Sequence, residues 1–229
     1  MKKRLLTGCS VVAVVVLAFA ATRLHSQTDF APWVPMHLTR QIIFHHPDGG
    51  LDRTQIHQEF HQFRDGSTAT KSTNTDDPAG TLEVMIAPTR HALNIDLATR
   101  MAHTWEYHGG TLTNPRHRRC AENIHPQFEK LTKETVHVPL LGHDTEKITV
   151  EGQFGDKLFT WERYMSPSLG CMELRNDLWI NGVLNTSTIA TAIEVGEQDQ
   201  SLLKKPANVE IVSASEFHTQ YFAARGHAH

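Results

Sequence analysis

The sequence lacks several motifs that carry common chemistries. It contains no glycine-rich phosphate loop and no Gly-x-Ser-x-Gly nucleophile elbow. Basic residues are not in excess, since 22 lysines and arginines stand against 25 aspartates and glutamates. Nucleic-acid recognition needs a basic surface, which this composition does not supply. We therefore expect neither a nucleic-acid partner nor a cofactor.

Long apolar runs are also scarce, and the one at the N-terminus indicates an export signal. A basic start, Lys2-Lys3-Arg4, precedes an apolar run from 11 to 21 that ends in the small-x-small pattern Ala18-Phe19-Ala20. The run is shorter than the ~20 apolar residues of a membrane-spanning helix. An uncleaved membrane anchor is the alternative, and would be the chain's only contact with a membrane.

This signal defines the expected organisation of the chain. We expect residues 1–26 to be a signal peptide, cut near 20–26. Residues 27–229 are then long enough for a single β-rich domain with its own core. The predicted location is extracytoplasmic, either periplasmic or secreted.

Cysteine is rare, and its placement predicts a disulfide. Of three cysteines, only Cys120 and Cys171 lie beyond the signal segment. An even pair in an exported protein is most simply a disulfide bond. Closing a loop of about 50 residues stabilises a fold by roughly 4 kcal/mol in the chain-entropy model. Parity counting along the strand after Cys171 places this bridge on the polar side of the sheet.

Between residues 30 and 200 the pattern is that of short strands separated by turns. Turn signals recur every ten to twenty residues, and β-branched and aromatic residues fill the intervals. The predicted strands cover 36–46, 52–64, 67–74, 81–87, 91–97, 99–107, 133–139, 145–151, 157–165, 170–180, 183–195 and 208–213. We expect a mainly β protein, a curved antiparallel meander that forms a half-barrel or an open sheet. A long loop spans 108–132, and Ser213 with Glu216 forms a capping box for a short C-terminal helix.

The clearest hairpin surrounds Asn181-Gly182, a pair that favours a two-residue type I′ turn. Both arms alternate with a period of two, so one face is apolar and the other polar. The predicted apolar face comprises Met172, Leu174, Leu178, Ile180, Val183, Ile189 and Ile193. Such a face must be buried by sheet closure, by a partner or by a ligand.

Sixteen histidines invite a metal hypothesis, and the tightest cluster is His57 with His61. On a strand these two side chains share a face but lie roughly 13 Å apart, too far to share one ion. We therefore predict no metal site.

The segment Ser168-Leu169-Gly170-Cys171-Met172-Glu173 resembles the Ser-His-Gly-Cys-aliphatic-Arg signature of L,D-transpeptidases. That resemblance implies a cell-wall enzyme in which Cys171 is the nucleophile beside a histidine base. Leu169 stands in place of the histidine and Glu173 in place of the arginine. The hypothesis requires Cys171 to be a free thiol, so a disulfide there removes it.

A second resemblance covers most of the chain beyond the signal. The segments Trp161–Pro167 and Gly196–Leu202 are similar to those of uncharacterised secreted bacterial β-meander proteins. At a greater distance the architecture resembles the lipoprotein-carrier (LolA/LolB-like) type, whose concave sheet face holds an acyl chain. The leading hypothesis is thus a non-enzymatic extracytoplasmic protein that binds a hydrophobic ligand or an envelope partner on its apolar face. The alternatives are the transpeptidase-like enzyme and a purely structural surface protein with a closed core.

Overall fold

The computed structural model describes residues 33–46, 55–106, 120, 130–132 and 136–225. The predicted signal peptide and most of the predicted loop at 108–132 lie outside these described residues. The described part consists mainly of strands, with one α-helix near its C-terminal end. In this part of the chain no helix is both long and apolar enough to span a bilayer.

The described residues contain thirteen strands and one α-helix, α1 (Ala214–Ala224). The strands are β1 (Met36–Phe44), β2 (Ile56–Gln62), β3 (Thr68–Asn74), β4 (Thr81–Ile86), β5 (His91–Asp96), β6 (Met101–Glu106), β7 (Lys130–Thr132), β8 (His137–Leu140), β9 (His143–Phe154), β10 (Lys157–Ser166), β11 (Met172–Ile180), β12 (Val183–Val195) and β13 (Glu210–Ile211). Strand β7 lies within the segment predicted as a loop. A 3-10 turn, Pro167–Leu169, joins β10 to β11, and a second, Gln200–Leu203, follows β12.

The strands form one open sheet, in the order β13-β6-β5-β4-β3-β2-β1-β12-β11-β10-β9-β7, with β8 paired to β9 beside β7. Every pairing is antiparallel except that of β13 with β6. The predicted fold class, a mainly β antiparallel meander with a C-terminal helix, is confirmed. Strand β1 lies between β2 and β12, so it joins the meander β2–β6 to the meander β9–β12.

The two faces of the sheet carry different side chains and are covered by different segments. We call the side on which α1 lies the helix face and the other side the opposite face. On the opposite face of β3 to β6, Ala69, Val84 and Ile95 are buried under the chain that follows β12. On the helix face, Met36, Leu38, Leu174 and Ala190 form a core under Leu169 and Leu140.

The β11–β12 hairpin turns at Asn181 and Gly182, whose φ angles are 51° and 77°. Positive φ at both central residues is what a type I′ turn requires. Gly182 tolerates this region because it has no Cβ.

The disulfide joins Cys120 to Cys171, with the two Cα atoms 5.3 Å apart. It packs against Ile148, Val150 and Trp161. Trp161 pairs with Leu178 in the sheet, and both side chains lie on the helix face. The bridge packs against Trp161, so it lies on the helix face as well, among apolar side chains. The expected position on the polar side was wrong. Counting alternate residues along β11 gives the wrong face for two reasons. The backbone of Cys171 is in the left-handed region, with a φ of 63°, and the pairing of β11 has an irregularity before Arg175.

Gly80, in the turn before β4, is expected to tolerate no side chain. Its φ is +72°, and a Cβ would lie 2.0 Å from the Ser72 carbonyl oxygen. Gly182 has a φ of +77° but open space around it. We expect Gly80→Ala to lower the free energy of unfolding by about 2–3 kcal/mol and Gly182→Ala by about 1–2 kcal/mol, since the latter carries only the left-handed penalty. Urea unfolding of both variants measures the difference, and equal losses would contradict the predicted clash with Ser72.

Candidate functional site

A cavity of about 320 Å³ lies between the helix face of β2 to β5 and the helix α1. This volume is at the lower end of the roughly 300–1,000 Å³ that is usual for small-molecule sites. Its floor comes from the sheet and its roof from the helix. The lining residues are Gln58, Thr70, Ser72, Thr81, Glu83, Asn94, Phe217, His218, Tyr221 and Phe222.

The floor is entirely polar, and the sheet register explains why. Thr70 pairs with Glu83, and Glu83 with Asn94, so these three side chains form one row across three strands. Gln58, Ser72 and Thr81 form the neighbouring row. All six are half-buried. Alternation along β3 to β5 sends the apolar side chains to the core on the opposite face, which leaves hydroxyl, amide and carboxylate groups beneath the helix.

The roof is aromatic. Phe217, Tyr221 and Phe222 project from one side of α1, with ring centroids 6.1 Å apart for Phe217 and Tyr221 and 5.5 Å for Tyr221 and Phe222. Residues four apart on a helix lie on the same side. Phe217 is buried, whereas 42% of Phe222 is exposed. Aromatic side chains that face a polar floor do not form an ordinary helix–sheet core, because a core pairs apolar with apolar groups.

The beginning of α1 is fixed next to the sheet edge. Ser213 caps the helix, since its Oγ accepts a hydrogen bond from the Glu216 N–H at 3.2 Å. Just before it, β13 pairs with β6, and the Val212 N–H donates to the Ala102 carbonyl at 2.8 Å. Phe217 then meets the His103 ring edge-on, with centroids 4.7 Å apart.

The end of α1 is fixed by Arg225. Its Nη1 and Nη2 each donate to one carboxylate oxygen of Asp96, both at 3.1 Å, and its Nε donates to Asp77 at 3.0 Å. Asp96 is fully buried on β5, and Asp77 lies in the turn between β3 and β4. The hydrogen bond to Asp96, above all, raises the pKa of Arg225. The helix is therefore held at both ends over a polar surface, which keeps the cavity open between them.

His103 of β6 lies next to the cavity, since it pairs with Asn94 and contacts Phe217. Burial, and to a smaller extent the nearby His218, lower the pKa of His103 and favour its neutral form. Its Nδ1 is buried and has no hydrogen-bond partner among the described residues.

The predicted apolar face does not line this cavity. Its members Leu174, Leu178 and Ile180 lie on the helix face nearer the other end of the sheet, and Val183 is exposed at the hairpin turn. Ile193 pairs with Leu38 on the helix face, whereas Ile189 pairs with Gln41 and Arg175 on the opposite face. Ile193 and Ile189 lie on different faces because a bulge near Thr191 adds one residue to β12 and inverts the alternation of its side chains. Met172 packs at the edge of the core that contains Leu174.

The other sequence hypotheses concern Cys171 and the histidines. Cys171 is bonded to Cys120, so it offers no thiolate of the kind that transpeptidase chemistry needs. His61 stacks on His37, with ring centroids 4.4 Å apart, while the exposed His57 lies elsewhere along β2. Within the described residues, no three metal-ligating side chains come together.

The fold defined by these features is an open, mainly antiparallel sheet with a C-terminal helix across one face. No described protein family matches the chain, and no curated protein matches it either. Among solved structures, an uncharacterised conserved protein from Thermus thermophilus is similar, with a TM-score of 0.53 and 12% sequence identity. The match covers 86% of this chain and 98% of that one. At this identity it shows the fold alone.

Structures of the lipoprotein-carrier type are also among those similar to the chain, as the sequence resemblance predicts. A LolA superfamily protein from Nitrosomonas europaea is 10% identical with a TM-score of 0.38, covering 77% of this chain and 93% of that one. A putative outer membrane lipoprotein-sorting protein domain from Vibrio parahaemolyticus is 6% identical with a TM-score of 0.33, covering 79% of this chain and 94% of that one. None of these similarities transfers a site residue, so the function has to be argued from the cavity itself.

Proposed function

We propose that the protein is an extracytoplasmic binding protein that holds a small saccharide in the cavity beneath α1. The observation that carries the proposal is the pairing of a polar floor with an aromatic roof. A sugar ring presents hydroxyl groups around its edge and C–H groups on its faces. Thr70, Ser72 and Asn94 supply donors and acceptors for the hydroxyl groups, and the exposed Phe222 ring supplies an apolar surface for a sugar face.

The lining favours binding over cleavage of such a ligand. Glycoside hydrolysis uses two carboxyl groups about 5–10 Å apart, one on each side of the scissile bond. Among the described lining residues Glu83 is the only carboxylate. The extracytoplasmic location is supported by the basic and apolar start of the sequence and by the disulfide between Cys120 and Cys171.

Saturation-transfer NMR with glucose, galactose, N-acetylglucosamine and glucosamine tests the proposal. We expect magnetisation to pass from the protein to the sugar ring protons, and Thr70→Val to weaken binding about 3–10-fold, because one hydrogen bond is lost. Thr73→Val is the matched control, since Thr73 lies on the same strand but pairs with His57 on the opposite face. Absence of binding by all four sugars, or equal losses in the two variants, would overturn the proposal.

A second candidate function is the binding of an apolar ligand elsewhere on the helix face. The register places Phe44, Leu178 and Trp161 in one row across β1, β11 and β10, interrupted only by Thr186 of β12. Trp161 also stacks on Phe159, with ring centroids 5.7 Å apart. The same NMR experiment with the fatty acid laurate separates the two functions. The second function is favoured if magnetisation passes to laurate, if Leu178→Asn abolishes this transfer and if Thr70→Val leaves it unchanged.

A further inference from the structure

Among the described residues of the cavity floor, Glu83 is the one charged group. It lies at the middle of the row Thr70–Glu83–Asn94 and is half-buried beneath the aromatic roof. No ion pair involving Glu83 is present among the described residues. A half-buried carboxylate without a cation has acceptor positions that the donors of a ligand can fill.

The described basic side chains around the cavity have other contacts or lie on the other face of the sheet. Arg225 binds Asp77 and Asp96 and lies 3.8 Å from the centre of the Tyr221 ring. Arg40 lies over the Phe60 ring at 4.9 Å, and its electrostatic partner is Glu173. Lys71 pairs with Leu82 and Glu59, so it lies on the opposite face of the sheet. The exposed His218 stacks on Phe222, with ring centroids 6.4 Å apart.

The aromatic roof, like the Glu83 carboxylate, favours a positively charged ligand. Phe217, Tyr221 and Phe222 present aromatic rings to the cavity, and the face of an aromatic ring attracts a cation. A carboxylate below and aromatic rings above form an environment that suits an ammonium group.

Building on the proposed saccharide function, we propose that Glu83 determines specificity and that the cavity selects a hydroxylated ring carrying a free amine, an amino sugar. The ammonium group of the ligand donates hydrogen bonds to the Glu83 carboxylate, and its hydroxyl groups bind the neutral floor residues. Acylation of the amine removes the charge and two of the three N–H donors, so an N-acetylated sugar loses this charged contact.

Isothermal titration with glucosamine, glucose and N-acetylglucosamine tests the assignment. We expect glucosamine to bind at least tenfold more tightly than the other two, since a hydrogen bond to a charged group is stronger than one between neutral groups. Glu83→Gln is expected to bring the three affinities to within about threefold of one another, because it removes only the charge. Glu83→Asp keeps the charge and should retain the preference in part.

Glu59→Gln is the matched control, because Glu59 is exposed on the opposite face of β2, which is separated from β4 by β3. It makes the same change in net charge and should leave the preference intact. If the three sugars bind equally to the unmodified protein, the saccharide function stands and the role of Glu83 is overturned. A preference that persists in Glu83→Gln overturns it as well. Failure of all three sugars to bind overturns the role of Glu83, and failure of galactose in addition overturns the saccharide function.

Discussion

Loss of the Cys120–Cys171 bond is expected to lower the free energy of unfolding by about 4 kcal/mol. The two cysteines are 51 residues apart in sequence, and closing a loop of this length removes that much conformational entropy from the unfolded chain in the chain-entropy model. The bond also contributes to a buried cluster, since Cys120 is fully buried against Ile148 and Val150. Urea unfolding with and without a reductant measures the loss.

Cysteine variants make this test specific. Cys120→Ala, Cys171→Ala and the double variant each remove the same bond, so their losses should be nearly equal and not additive. Reductant should have no further effect on the double variant. Alkylation of Cys171 in the native, unreduced protein, or a loss below about 1 kcal/mol, would contradict the structure. Native alkylation would also restore the transpeptidase hypothesis.

Replacement of Arg225 by alanine is expected to release α1 from the sheet. The substitution leaves the fully buried carboxylate of Asp96 without its cation, and breaking one side of a buried ion pair typically costs about 3–5 kcal/mol. Hydrogen exchange of the amides in 214–224 measures the release. Lysine is not an adequate substitute, because only the planar guanidinium contacts both oxygens of Asp96 and also Asp77.

Arg64→Ala is the control for this prediction, since it also removes an arginine–carboxylate pair. Arg64 and Glu197 are both largely exposed, and exposed pairs contribute only about 0–1 kcal/mol. Hydrogen exchange in 214–224 should therefore stay unchanged in Arg64→Ala. Equal effects of the two arginine substitutions would show that Arg225 does not anchor the helix.

Acid should produce the same release in the unmodified protein. Burial acts to raise the pKa of Asp96, but hydrogen bonds from Arg225, Thr99 and the Ala98 N–H together lower it. A carboxyl group whose pKa is lower in the folded than in the unfolded state stabilises the fold above its unfolded pKa, which is about 3.9 for aspartate. That stabilisation is lost as the pH falls through the lower, folded pKa. The protection factors of the amides in 214–224, which are corrected for the intrinsic pH dependence of exchange, should thus fall below about pH 4, and less steeply in Arg225→Ala.

The sequence predicts the strands because their signals are local. Alternation and turn residues mark both arms of the Asn181-Gly182 hairpin, and Ser213 with Glu216 marks the start of α1. The face of the sheet on which each side chain lies is harder to predict. A bulge near Thr191 inverts the alternation along β12, and no pattern of residue types indicates it.

The cavity could not be predicted, for a different physical reason. Its floor comes from residues 58–94 and its roof from residues 217–222, and no local pattern states that these segments meet. What brings them together is the contact of Arg225 with Asp77 and Asp96, across more than half of the chain. The available hint was the polar character of Thr70, Glu83 and Asn94 at alternate positions of neighbouring strands, which a solvent-facing sheet would equally explain.

The position of β1 between β2 and β12 has a kinetic consequence. Strands β2 to β6 and β9 to β12 are each neighbours in sequence, so each group assembles from hairpins that close short loops. The seam between β1 and β12 instead joins the two ends of the strand series and must wait for a long loop to close. Folding should therefore proceed through two preformed halves, and pairing of β1 with β12 should be the slow step. Until these two strands pair, their unpaired edges are the part of the molecule most exposed to aggregation.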